Sequence, residues 1–156
     1  MKQKGFSLVE LNVCCAILTI LMAVSYPVFN TMQESAIFKS EMRGLYANLQ
    51  RAKVEAIKRN QYVVFNVAEK GYTIFVDDGA GSGIRGDWVR QGAEKVLVDY
   101  RYPESIKMVK TTFPNNCGRF RPIVGIKPGR IQLQGPSGSR REVVINRIGR
   151  IRLAKL

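Results

Sequence analysis

The sequence predicts an α+β chain: one long amino-terminal helix, apolar in its first half and amphipathic in its second, packed on an antiparallel β-sheet or sandwich head. Three observations carry this. Leu11–Phe29 is a run of 19 uncharged, mostly apolar residues, close to the ~20 that span a bilayer core as a helix. Phe38, Met42, Leu45, Leu49, Ala52 and Ala56 then recur at spacings of 4, 3, 4, 3 and 4, the stripe of an amphipathic helix. After residue 60 the apolar period falls to two, the alternation of strands. The expected division is a short basic segment at 1–5, a membrane-spanning helix at 6–33, an amphipathic helix at 34–59 and a β-rich head at 60–156.

Each element has a local cause. Met1-Lys-Gln-Lys-Gly5 is short and positive, which keeps the amino terminus cytoplasmic and sends the remainder across the membrane. A secretory signal would end in a small-x-small cleavage site and a turn; after Phe29 the helical pattern continues instead. For the apolar run alone, a plain single-span anchor is a sufficient reading. Glu10 is the one charge between Phe6 and Gln33. A carboxylate at the bilayer centre costs roughly 2.5–3.5 kcal/mol on insertion scales unless it finds a partner. Pro27 cannot donate to the carbonyl of Ala23 and is expected to kink or loosen the helix. Adjacent cysteines rarely bridge, so Cys14 and Cys15 read as small apolar residues. Arg43, Gln50, Arg51, Lys53 and Lys58 lie between the stripe positions. Lys58-Arg59-Asn60 stops the helix, with cations in the last turn and then an Asn tolerant of left-handed angles. From Phe6 to Arg59 the helix would measure about 80 Å.

Gln61–Ala68 and Tyr72–Val76 read as a hairpin joined by Glu69-Lys70-Gly71. The glycine- and aspartate-rich stretch 77–87 reads as a loop. Further strands are expected at 95–102, 105–110, 119–125, 129–134, 140–147 and 150–154, with turn signals at Pro128-Gly129 and Pro136–Ser139.

Composition excludes several chemistries. The 156 residues carry 25 Lys+Arg, 12 Asp+Glu and no histidine, a formal charge of +13. Without histidine the commonest general base, metal ligand and nucleophile activator are missing. Cysteines at 14, 15 and 117 alone do not make a zinc site or disulfide framework. An enzyme domain on a stalk is therefore remote, and no cofactor is expected. Residues 101–156 hold 13 basic and 2 acidic residues, whereas the first hundred hold 12 and 10. That asymmetry points to an anionic partner, nucleic acid or lipid headgroups alike.

Gly5-Phe6-Ser7-Leu8-Val9-Glu10 resembles the class III signal of type IV prepilins, G-F-[ST]-L-[IVL]-E, at all six positions, with the basic leader before it and the apolar helix after it. The resemblance implies cleavage between Gly5 and Phe6 by a membrane prepilin peptidase and N-methylation of Phe6. It also implies that Glu10 pairs with the amino terminus of a neighbouring subunit, setting filament register. Two buried charges that each cost several kcal/mol alone become tolerable as a pair. A short spine helix, an all-β head and a terminal basic hairpin narrow the likeness to the FimT/GspH branch of the type IV pilin-like family. Leu45–Arg59 is similar to that branch's L-x-x-A-R-x-E-A-I-x-R pattern, with Lys53 at the usual arginine. Cys117 stands alone where many members carry a cysteine pair in the head, and reads as a buried small hydrophobe.

The resemblance implies either a minor pilin of a type IV pilus or the H-type pseudopilin of a type II secretion system. In both cases it implies other pilins or pseudopilins and an inner-membrane assembly platform as partners. The implied location is the cytoplasmic membrane, single-pass, with a periplasmic head. Gly149-Arg150-Ile151-Arg152 resembles the G-R-x-R motif that the FimT branch carries on its last hairpin, where it is linked to DNA binding. Arg147, Arg150, Arg152, Arg140 and Arg141 are the residues it implicates. Alternation sends Ile151 and Leu153 to the core and Arg150 and Arg152 outward, while Arg119, Arg121, Lys127, Arg130 and Lys155 lie on neighbouring strands or turns. The competing readings are an ordinary solvated strand face, or a patch facing acidic phospholipid or a neighbouring pilin. No aromatic residue follows Phe120, so a single-strand stacking platform is lacking and the expected contact is with duplex phosphates. Gly81-Ser-Gly-Ile-Arg-Gly86 matches G-x-G-x-x-G by chance, since no helix start follows it to face a phosphate. Asp77 and Asp78 read as solvated turn carboxylates, with no Glu to close a calcium loop.

Overall fold

The computed structural model describes residues 7–81, 83–123 and 126–155, the side chains of 137 and 155 excepted. Among the described residues one α-helix, α1 (Leu8–Arg59), precedes eight strands: β1 (Tyr62–Ala68), β2 (Gly71–Asp77), β3 (Val96–Arg101), β4 (Lys107–Thr111), β5 (Cys117–Phe120), β6 (Gly129–Gln134), β7 (Arg140–Ile145) and β8 (Ile151–Lys155). The backbone divides into two compact units, residues 1–36 and 37–156.

In the first unit the helix covers none of its apolar side chains. Leu11, Leu18, Leu21, Val24 and Phe29 are all more than half exposed, and the best 18-residue window has a mean hydropathy of 2.2. The hydroxyls of Thr19 and Thr31 donate to the carbonyls of Cys15 and Val28 at 2.7 and 2.9 Å. Their polar groups are thus satisfied within the helix, as a bilayer core requires. The helix continues across Pro27.

In the second unit the six-residue stripe from Phe38 to Ala56 is the buried set of α1. Asn60 ends the helix at φ 52°, and the N–H of Gln61 bonds back to the carbonyl of Ala56 at 3.2 Å, a left-handed stop. The strands form two antiparallel four-stranded sheets, β3-β2-β1-β5 and β4-β6-β7-β8. All eight expected strands are present. β5 departs most, starting at Cys117 and ending at Phe120 rather than spanning 119–125; Pro122 has no N–H for a ladder bond.

One core joins α1 and the inner faces of both sheets, with Val63, Phe65 and Ile74 from the first and Ile131, Leu133 and Val143 from the second. Phe65 lies at its centre, edge-on to Phe113 at 5.2 Å and tilted against Phe120 at 5.5 Å. Gly118 on β5 faces this ring so closely that an added Cβ would overlap it. Beside it Tyr72, Tyr100 and Tyr102 pack with ring centroids 5.5–6.2 Å apart. Tyr72 accepts from the amide of Asn48 at 2.7 Å and Tyr100 donates to Glu41 at 2.9 Å. The buried Tyr102 hydroxyl has no partner among the described residues.

Candidate functional site

The β7–β8 hairpin is built as its glycine dictates. The N–H of Gly149 donates to the carbonyl of Asn146 at 2.8 Å, and the N–H of Asn146 donates to that of Arg150 at 3.0 Å. Gly149 sits at φ +73°, a left-handed conformation that glycine adopts without a Cβ penalty. Lys53 of α1 donates from Nζ to the Gly149 carbonyl at 3.0 Å, tying the turn to the helix across 96 residues of sequence. Arg147, Arg150 and Arg152 are exposed, and none has an ion-pair partner among the described residues.

The alternation holds at Ile151, which is buried, but Leu153 is 42% exposed. β8 has a neighbour on one side only, so its open flank leaves the inward side chain partly uncovered. Arg140 and Arg141 lie at the opposite end of β7 from the turn, about 17 Å away at ~3.4 Å per residue. As neighbours on a strand they also face opposite sides of the sheet. The five arginines therefore do not form a single cluster.

Two other basic residues are occupied. The guanidinium of Arg119 lies 4.4 Å from the Tyr62 ring centroid and 4.3 Å from that of Trp88, and donates to the Gly86 carbonyl at 2.9 Å. It is a structural stack between β5 and the 78–95 loop, not a free surface cation. Arg130 pairs with Glu142 at 3.4 Å.

The loop itself corrects the reading of its acids. Asp77 is fully buried and accepts the backbone N–H groups of Gly86 and Trp88. Glu94, also buried, accepts those of Gly79 at 3.1 Å and Gln91 at 2.9 Å. These two carboxylates replace water for a chain segment that would otherwise lack acceptors. The glycines of 79–86 serve this folded loop. Asp78 caps Ala80 at 3.1 Å. The loop and the outer face of the first sheet flank an open groove of about 680 Å³, lined among others by Phe75, Trp88, Arg90, Cys117 and Lys127. Cys117 is a free, half-buried thiol, and burial pushes its pKa up, the opposite of an activated nucleophile. No group of three or more metal-ligating side chains occurs among the described residues.

At the amino terminus, Glu10 lies in the first turn of α1, where a carboxylate suits the helix dipole. Gly5 and Phe6, the expected cleavage and methylation positions, lie outside the described residues. Lys53 was not legible as an anchor of the turn; its place at the arginine position of the helical pattern was the only hint.

The family model described as "Prokaryotic N-terminal methylation motif" matches residues 1–26. The "Pilin-like protein PilA1" of Thermus thermophilus is 30% identical over 158 residues, covering 86% of this chain and all of that protein. Among solved structures, the minor pseudopilin EpsH of the Vibrio cholerae type 2 secretion system has a TM-score of 0.59 at 15% identity, covering 75% of this chain and 95% of its own. The type IV minor pilin FimU of Pseudomonas aeruginosa has a TM-score of 0.56 at 16% identity, covering 74% and 87%. Both share the fold of a helix packed on antiparallel sheets. The model of the family "Type II transport protein GspH" matches residues 41–149, which takes in α1 from Glu41 onward, the whole first sheet, β4, β6 and β7 of the second and the glycine of the basic turn, and the chain belongs to that family of pilin-like structural subunits.

Proposed function

We propose that this protein is a minor pilin that is cut at Gly5–Phe6, N-methylated on Phe6 and joined to a type IV pilus, where its head binds duplex DNA through phosphates. The observation that carries the reading is the β7–β8 turn: Arg147, Arg150 and Arg152 exposed and unpaired among the described residues, on a backbone pinned by Lys53. Arginine forks at such a tip suit phosphate oxygens and give little base readout. Prepilin peptidase, other pilins and the inner-membrane assembly platform are the partners this role needs. The single-span anchor at 6–33 would hold the precursor in the cytoplasmic membrane with a periplasmic head. Glu10 would pair with a neighbour's amino terminus, and a looser helix at Pro27 would help it pack.

A second reading, the H-type pseudopilin of a type II secretion system, is favoured by the name of the matching family and by the likeness to EpsH. Deleting the gene decides between them. Loss of twitching or transformation supports the pilus, and loss of exoprotein release supports secretion. For DNA, Arg150→Ala with Arg152→Ala should weaken duplex binding and flatten its salt slope by up to about 2 units. Unchanged affinity and slope would remove both arginines from the site.

A further inference from the structure

The outward face of the second sheet carries charge that the hairpin alone does not use. Its inward residues, among them Ile131, Leu133 and Val143, are fully buried, so their strand neighbours point away from the core. Register then fixes which cations share the outer face. Arg130 and Arg152 both pair with Val144, Arg140 and Lys107 both pair with Gln134, and Lys110 pairs with Gln132. Five cations from four strands stand on one surface. The acid among them is Glu142, already held by Arg130.

The geometry points to this whole face, from β4 to β8, as the surface that receives duplex DNA, with Lys107 and Lys110 as contacts remote from the turn. The inference rests on the DNA reading proposed above and extends its footprint across the sheet. Three strand spacings of ~4.8 Å separate β4 from β8, about 14 Å, close to the ~12 Å width of the major groove of B-DNA. Lys110 on one margin and Arg152 on the other therefore reach phosphates of opposite strands. Gln132 and Gln134 lie between them and add neutral donors for phosphate or sugar oxygens. The same face carries no aromatic residue. Its exposed apolar side chains are Val109 on β4 and Ile148 at the hairpin tip, isolated residues rather than the broad apolar stripe with which an interfacial element enters lipid, and it has none of the aromatic anchors that dominate protein–protein interfaces. Charge without anchors suits a polyphosphate.

The experiment uses the full-length chain in detergent micelles, a mixed-sequence DNA duplex and fluorescence anisotropy over a salt series. Lys107→Ala with Lys110→Ala should flatten the slope of log K against log salt by up to about 2 units and raise Kd roughly tenfold near physiological salt. Arg51→Ala with Lys58→Ala removes the same charge from exposed positions on α1, away from the outer face of the second sheet, and should change little. If the two double variants behave alike, the effect is net charge and the face is overturned. The Arg150→Ala/Arg152→Ala variant, run in parallel, separates the two claims. Weakened binding there with none lost in the Lys107/Lys110 variant overturns the face and leaves the hairpin standing; no duplex binding by the parent overturns both. Loss of binding to phosphatidylglycerol vesicles but not to duplex in the Lys107/Lys110 variant overturns the choice of partner.

Discussion

Removing one hydroxyl from each of two neighbouring tyrosines should move the stability of the head in opposite directions. Tyr72 and Tyr102 are both 4% exposed, with ring centroids 5.6 Å apart. Tyr72 accepts a hydrogen bond from Asn48 at 2.7 Å, so Tyr72→Phe loses a bond worth about 1 kcal/mol net. The Tyr102 hydroxyl has no partner among the described residues, and an unsatisfied buried hydroxyl costs about 1–3 kcal/mol. Tyr102→Phe should therefore gain about 1 kcal/mol, which for a domain of this size is roughly 3–5 °C in Tm.

Alkaline pH gives a second axis. Burial raises the phenol of Tyr102 far above its ordinary value and those of Tyr72 and Tyr100 in the same direction. Below about pH 10 both folded and unfolded chains hold these protons, and stability is intact. Above it the unfolded chain ionises while Tyr102 of the folded chain keeps its proton, so stability falls with rising pH by up to ~1.4 kcal/mol per unit from Tyr102, with Tyr72 and Tyr100 acting in the same direction. Tyr102→Phe should flatten that limb. Circular dichroism melts of the full-length chain in detergent at pH 7 and pH 11 read both effects. A variant that melts below its parent at pH 7, or loses as much on going to pH 11, would refute the reasoning.

Gly5→Ala should block maturation and leave an uncut precursor on a gel; normal processing of that variant would sink the prepilin assignment. Gly118→Ala pushes a methyl group into the Phe65 ring and should destabilise the head by about 1–3 kcal/mol or more, read by denaturant unfolding. Asp77→Asn leaves one backbone N–H of the 78–95 loop without its carboxylate acceptor and should cost about 1.5–3 kcal/mol. Trp88 is the one tryptophan in the chain and sits in that loop, so its emission should shift to the red as the loop loosens.

What was legible in the sequence was what is local. The six stripe residues of α1 follow a 3.6-residue period that neighbours in sequence enforce, and all six are buried. The turn at Gly149 and the strand positions are likewise written in short patterns. Pairing is not. β3 and β4 follow each other in the chain but belong to different sheets, because long-range apolar contacts rather than adjacency decide the partner. Asp77 looked like a solvated turn acid because the N–H groups it accepts lie 9 and 11 residues further on. Arg119 looked like surface charge because Tyr62 and Trp88 stack on it from 57 residues before and 31 before. The anchor of the turn, Lys53, lies 96 residues from its acceptor. Only a folded register brings such pairs together.

The excess charge of residues 101–156 is therefore sorted rather than spread. Arg119 is withdrawn into an aromatic stack and Arg130 is partnered by Glu142, while Arg147, Arg150 and Arg152 are held outward by a turn that Lys53 fixes to the helix. The chain has no histidine, the side chain whose ordinary titration falls between pH 5 and 8. Nothing on this surface is thus suited to switch a phosphate contact on or off with mild acid. On the DNA reading proposed above, control has to come from ions that screen the cations or from subunits that cover the face. A surface of this kind stays charged through mild acid, so on that reading salt and coverage by neighbouring subunits, not pH, would set its occupancy.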